Sequence, residues 1–207
     1  MSRTADSSML TRREVAEIAH VPLGVLDKAI EQKIVSSQRR GNQSFLRSGD
    51  VGVIALLQKL ALPLPITVKR RIKRWVYDTE PYRGTRGAEL SISDALVVRW
   101  SSDVSETVQA AESYARLREQ WIETNPDIKG GEPVIRGTRI SVRGVAQRMD
   151  DGDTIETLTE DYPHIPIEAF QAAYTYAKAH PRRGRPVRPW RDADEALDRR
   201  GPLTVPG

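Results

Sequence analysis

TRREVAEIAHVPLGVLDKAIEQKIV, Thr11 to Val35, decides how the first third of the chain is read. Thr11-Arg-Arg-Glu14 has the spacing of a capping box, in which a threonine hydroxyl and a glutamate carboxylate each satisfy an orphan backbone N–H at a helix start. Val15, Ala16, Ile18 and Ala19 supply an apolar face, and His20-Val-Pro22 interrupts it. Pro22 then opens a second helix, with Val25, Leu26, Ala29 and Ile30 at helical spacing. Two short helices across a tight turn predict a helix-turn-helix unit.

Downstream of that unit, Ser36 to Leu46 (SSQRRGNQSFL) is a polar, Gly-Asn-containing turn between short β-prone pieces. It suits a hairpin carrying Arg39, Arg40, Gln43 and Arg47, where a wing would lie. Asp50 is expected to cap a helix from Val51 to Leu60, and Leu62-Pro-Leu-Pro65 stops it. Ile66 to Val76 resumes the helix with a basic face of Lys69, Arg70, Arg71, Lys73 and Arg74. Asp78 to Glu89 has the Gly, Pro and charge content of a linker.

Beyond it, Leu90, Ile92, Leu96, Val98 and Trp100 alternate as one or two strands would. Asp103 with Glu106 makes a second capping box, for a helix striped by Val104, Val108, Ala111, Ala115, Trp121 and Ile122. Gly130 to Val142 (GGEPVIRGTRISV) reads as a β-hairpin with Arg136-Gly137-Thr138 at its turn, and Ser141 can cap the next helix. Asp153-Thr-Ile-Glu156 caps a short helix through Glu160. Pro166 opens a last helix to Lys178, with Phe170, Ala173, Tyr174 and Ala177 inward. The expected fold is mainly α: a winged helix-turn-helix (1–77), a linker (78–89), a trihelical domain with a small β-hairpin (90–179) and an extended Arg/Pro tail (180–207).

Composition narrows the chemistry. With 207 residues and 39% hydrophobic side chains, the chain can bury a core. No apolar run approaches the ~18–20 residues of a membrane span, and MSRTADSS lacks a signal-peptide pattern, so a cytoplasmic location is the expectation. The absence of cysteine and the scatter of His20, His164 and His180 leave no zinc ligand set, and no metal or cofactor is expected. Asp150-Asp-Gly-Asp153 lacks the alternation of a calcium loop and reads as a turn with a helix cap. GGEPVIRGTR lacks the phosphate-loop pattern, and no nucleophile elbow, carboxylate pair or histidine triad supports catalysis. The chain is not expected to be an enzyme.

Charge is unevenly spread. Residues 1–80 carry 14 Lys/Arg against 8 Asp/Glu, residues 81–180 carry 11 against 16, and residues 181–207 carry 7 against 4. A basic head and tail thus flank an acidic middle and point to a polyanionic partner. Arg12, Arg13, Lys28, Arg39, Arg40, Gln43 and Arg47 fall on the surfaces that meet phosphates and groove edges when a winged helix docks on duplex DNA. Over about the first seventy residues the layout resembles the winged helix of MerR-type regulators and excisionases.

A second resemblance rests on a sharper string. Ile128-x-Gly-Gly131, Pro133-Val-Ile-Arg136-Gly137-Thr138-Arg139-Ile140, Asp161-Tyr162-Pro163 and Ala172-Ala-x-x-Tyr176-Ala177 resemble the bacterial domain-of-unknown-function family 433. The resemblance covers residues 126–179 and implies a small trihelical, homeodomain-like fold led by a β-hairpin. It also implies an antitoxin of the VapB type, paired with a PIN-like ribonuclease toxin. Within the string, Gly131, Pro133, Arg136, Gly137, Thr138, Arg139, Asp161, Tyr162 and Pro163 are expected to be structural, with Thr138 and Arg139 bonding backbone or acids such as Asp161.

That resemblance gives the tail HPRRGRPVRPW, His180 to Trp190, an expected task. PIN-like toxins hold Mg²⁺ in a carboxylate cluster, and arginine forks fit carboxylates in two places without losing charge. Arg182, Arg183, Arg185 and Arg188 supply the forks, and Pro181, Pro186 and Pro189 favour an extended chain. Trp190 offers an apolar anchor. The expectation is therefore an antitoxin that blocks its toxin and represses its own operon, as a homodimer on palindromic operator DNA. The dimer would pair through the helix from Asp103 to Glu123 or the hairpin from Gly130 to Val142. The alternative is a MerR-like or excisionase-like regulator with no toxin, and a nuclease in its own right has no motif behind it.

Overall fold

A computed structural model describes residues 9–41, 43–84 and 87–181. The fold is mainly α, with short antiparallel strand pairs. Strand β1 (Leu10–Thr11) runs into helix α1 (Arg12–Ile18), and a short turn leads to α2 (Leu23–Glu31). Thr11 and Glu14 form the expected capping box: the Glu14 N–H donates to Thr11 Oγ1 at 3.3 Å, and the Thr11 N–H donates to the Glu14 carboxylate at 2.7 Å. Pro22 is the N-cap of α2, its fixed φ of −58° suited to a helix start.

Strands β2 (Gln38–Arg40) and β3 (Gln43–Leu46) form the expected hairpin, and β1 adds to it in the order β1-β3-β2. Helix α3 (Ser48–Leu60) starts three residues earlier than the sequence suggested. Asp50 is not its N-cap but lies one turn in. There its carboxylate accepts from the Arg47 N–H (3.1 Å) and the Ser36 N–H (3.0 Å), tying the hairpin to the helix.

Helix α4 (Ile66–Thr79) carries the basic face, and the structure spends several of those cations on packing. Arg70 donates to the carbonyl of Gln32, the C-cap of α2, at 2.8 and 3.1 Å, and Lys73 donates to Ser36 Oγ at 2.6 Å. Arg71 reaches the carbonyls of Ser91 (3.0 Å) and Ile92 (3.3 Å) on β4 (Glu89–Ser93), which pairs with β5 (Leu96–Arg99).

Helix α5 (Ser102–Trp121) is the spine. Its N-cap is Ser101, ahead of the expected box, and Asp103 instead pairs with Lys59 of α3. Val104, Val108, Ala111, Tyr114 and Ala115 are buried in one cluster with Leu10, Val15, Leu26, Leu46, Val51 and Ile72. The hydrophobic core therefore runs across residues 78–89 instead of stopping there. Pro81 is buried and the Tyr82 ring lies 6.3 Å from the Trp100 ring, so residues 81 and 82 pack on that core. The α5 stripe proposed for dimerisation is consumed by its own chain.

Strand β6 (Ile122–Glu123) pairs with β7 (Val134–Ile135), a longer-range pair that adds to the hairpin, which spans 133–142 where 130–142 was expected. Within it the Ile135 N–H donates to the Ile140 carbonyl at 2.9 Å and the Val142 N–H to the Pro133 carbonyl at 3.0 Å, around the Val134 to Ser141 bridge that closes the turn at residues 136–139. Helix α6 (Val142–Asp150) starts at the Ser141 cap as expected. For α7 (Ile155–Asp161) the cap is Thr154, one residue beyond Asp153. Helix α8 (Ile167–Ala179) packs on α6, α7, α5 and α1, and its Tyr176 touches both apolar clusters.

Candidate nucleic-acid interface

The basic residues of the first unit are distributed by strand pairing. Across the β2–β3 ladder Arg39 faces Ser44, Arg40 faces Gln43 and Gln38 faces Phe45. Because side chains alternate between faces, Arg39 and Arg40 diverge. Arg39 falls on the side of α1, and with Thr11, Arg12, Arg13, Gln43, Ser44 and His180 it lines one concavity of about 640 Å³. Arg40 lies with its guanidinium 6.0 Å from the Phe45 ring and lines a neighbouring hollow with Arg118, Arg136 and Tyr176.

Arg12, Arg13, Arg39 and Gln43 are thus brought together, while Lys28 and Arg47 are exposed outside the concavity. Arg12 is held by Asp27 of α2 at 2.6 Å, an exposed pair that sets the side chain's direction more than it adds stability. The exposed face of α2 beside it carries Gly24, Val25 and Lys28. No Cβ contact would lie within 4 Å at Gly24, so the helix presents a flat surface there. The concavity can offer guanidinium and amide donors to phosphate and sugar oxygens, the contacts that position a protein on a duplex.

Beneath the cleft lies a contact that the sequence did not point to. Glu14 is 1% exposed and, besides capping α1, accepts from the Tyr114 hydroxyl at 2.9 Å and from Arg118 Nη1 at 2.5 Å. Arg118 Nη2 also donates to the Met9 carbonyl at 2.9 Å. Burial works against the Arg118 charge, yet the Glu14 carboxylate holds its pKa above the ordinary value. Burial first, and Glu14 second, push the Tyr114 hydroxyl up as well, so it stays a donor. The i, i+4 spacing of Tyr114 and Arg118 was the available signal, but nothing local linked it to Glu14.

The residues of the second string hold turns and helix ends together. Gly131 and Gly137 adopt φ of +84° and +75°, left-handed values that favour glycine. The Gly137 N–H donates to Glu123 at 3.0 Å, and Thr138 bonds the Ile135 carbonyl at 2.8 Å. Arg136 donates to the carbonyls of Glu119 (3.0 Å) and Gln120 (2.8 Å), closing the end of α5. The Pro133 carbonyl accepts from the Val142 N–H at 3.0 Å.

Asp161 is not bonded by Thr138 or Arg139. Arg148 of α6 takes it at 2.5 Å and also takes Asp153 at 2.5 Å, joining α6 to the start and end of α7; Arg139 is exposed. The Tyr162 ring packs 6.3 Å from Phe170, and the Tyr162 carbonyl accepts from the Ile165 N–H across Pro163. Arg182, Arg183, Arg185, Arg188 and Trp190 lie outside the described residues. Among the described residues, no cluster of His, Asp and Glu could hold a metal ion, and no helix is long and apolar enough to cross a membrane.

Residues 122–177 match the family described as "Protein of unknown function (DUF433)". They run from β6 to the last turn of α8. The uncharacterized protein y4eO of Sinorhizobium fredii is 42% identical over 64 residues, which is 31% of this chain and 29% of that protein. The chain thus spans under a third of that relative's length. The crystal structure of Rv2018 from Mycobacterium tuberculosis aligns over 79% of this chain and 95% of its own, at 14% identity and a TM-score of 0.37.

Proposed function

We propose that the chain is a DNA-binding antitoxin that represses its own operon and neutralises a PIN-like ribonuclease. The observation that carries the DNA half is the convergence of Arg12, Arg13, Arg39 and Gln43, from a helix start and a hairpin, on one cleft beside the exposed face of α2. Two helices across a tight turn followed by a basic hairpin are the parts of a winged helix, with α2 as the groove-reading helix. The toxin half draws its support from the family-433 string within residues 122–177 and from the arginine-rich sequence after His180. Arginines, which keep their charge near neutrality, suit an acidic, metal-binding nuclease site.

Replacing Arg39 and Arg40 by Ala tests the DNA half. Operator affinity is expected to fall and its log–log salt dependence to flatten by ~1–2, about 0.9 for each phosphate no longer neutralised. Unchanged binding would relocate the site. Co-purification with the product of a neighbouring PIN-like reading frame tests the toxin half. A chain that binds its operator but no such partner is a regulator without a toxin.

A further inference from the structure

Helix α8 brings a histidine into the cleft formed by α1 and the hairpin. His180, the C-cap of α8, lines the same concavity as Arg12, Arg13, Arg39 and Gln43. Its ring stacks on Tyr176, with centroids 4.2 Å apart and planes 22° apart. Its backbone N–H bonds the Tyr176 and Ala177 carbonyls at 3.0 and 3.2 Å. The imidazole is thus half-buried and held in one orientation.

That orientation gives the two ring nitrogens different tasks. Nδ1 lies 2.9 Å from the Tyr176 carbonyl, and a carbonyl oxygen only accepts, so Nδ1 carries a proton. In the neutral ring Nε2 is then a bare acceptor, with no hydrogen to give a phosphate oxygen. Only the imidazolium has a second N–H to donate. The charged groups around it are Arg12 and Arg13 of α1, Arg39 of β2 and, about the stacked Tyr176 hydroxyl, Glu14, Arg118 and Arg143. Glu14, the one carboxylate in that set, is committed to Arg118. A phosphate seated between the ring and the guanidinium groups is the counter-charge that a second N–H would meet.

We infer that His180 is a phosphate-contacting residue of the DNA site and makes that contact only as the imidazolium, so that duplex binding takes up a proton. This rests on the DNA half of the proposed function and names a regulation of the same site. A duplex backbone stabilises the charged ring, so the bound state holds more protons than the free one. By linkage, affinity rises as pH falls through the range in which histidines titrate, about pH 5 to 8.

The test titrates the full-length chain onto a random-sequence duplex at about pH 8 and about pH 5.5, each at several salt concentrations. The duplex carries a rhodamine label, whose emission does not respond to pH in this range. His180→Asn keeps an amide that can donate to the Tyr176 carbonyl but has no second ring nitrogen. The wild type, His20→Asn and Arg39→Ala run beside it. The wild type is expected to bind about 3- to 10-fold more tightly at the lower pH, with a log–log salt slope steeper by ~0.9, as one more neutralised phosphate requires. His180→Asn should lose both the gain and the added slope, His20→Asn should keep both, and Arg39→Ala should bind more weakly at either pH.

If His180→Asn keeps the pH dependence, weakens binding equally at both pH values, or leaves the dependence to be abolished by His20→Asn, the inference fails. The same holds if the wild type binds equally at both. In each case a loss of affinity in Arg39→Ala leaves the DNA reading standing. If His180→Asn changes binding and Arg39→Ala does not, the ring acts apart from the cleft and the shared site is wrong. If the wild type does not bind DNA, both fall.

Discussion

Glu14 shows how one side chain can serve two levels of structure. Its carboxylate caps its own helix and neutralises a cation a hundred residues away in sequence. Replacing it with Gln keeps much of the shape but leaves the Arg118 guanidinium without a counter-charge. Glu14→Gln should destabilise the fold by about 2–3 kcal/mol, below the full range for buried pairs because Arg118 keeps a fifth of its side chain in water. Chemical denaturation of Glu14→Gln, Arg118→Met and the double variant checks this. The double variant should recover part of the loss, and strictly additive losses would mean that the pair is not coupled. Because Glu14 stands one turn into the helix that begins with Arg12 and Arg13, Glu14→Gln should also weaken DNA binding.

Among the elements, the seam between α3 and α5 decides how the two parts of the chain meet. A Cβ at Gly52 would lie 2.7 Å from Trp100 Cη2 and 3.0 Å from Val108 Cγ2. In an exposed helix Gly→Ala gains up to ~1 kcal/mol. Here Gly52→Ala should instead lower stability by about 1–3 kcal/mol and change the Trp100 environment, visible in near-UV circular dichroism. At the far end of the same seam, Lys59 pairs with Asp103, and its hydrogen bond, with that of Ser101, lowers the Asp103 pKa from 3.8 to about 2. A carboxyl depressed on folding adds stability above its unfolded value, and that contribution is lost as pH falls through the folded value. The window is therefore from 3.8 down to about 2, and the effect is small because both side chains are half exposed. Lys59→Met should remove this part of the acid dependence, measured as the difference in thermal midpoint between pH 5 and pH 2.

For the molecule as a whole, the shared core predicts coupled unfolding. Trp100, Val104, Val108 and Ala111 complete the cluster begun by Leu10, Val15 and Leu26, and Tyr176 joins that cluster to the one around Phe170. Tryptophan fluorescence and far-UV circular dichroism should report one coincident transition. A fragment ending at Asp78 should expose the α3 face that Trp100 and Val108 cover, and it should fail to melt cooperatively. Two separated transitions in the full chain would show that residues 78–89 do divide it.

Local chemistry made several features legible: the Thr11–Glu14 capping box, the Ser141 cap, the basic hairpin and the left-handed Gly137 turn. Each depends on groups within a few residues of one another. Periodicity found the apolar stripe of α5 but not its target, since a stripe that buries against its own chain has the same spacing as one that dimerises. Composition likewise marked residues 78–89 as a linker, although burial of Pro81 and the contact of Tyr82 with Trp100 depend on partners far along the chain. The sequence determined which residues are basic and where helices and turns begin. Only the tertiary structure decided that Arg12, Arg13, Arg39 and His180 share one cleft, because α8 packs against α1, and packing of distant helices is set by the joint burial of their apolar faces.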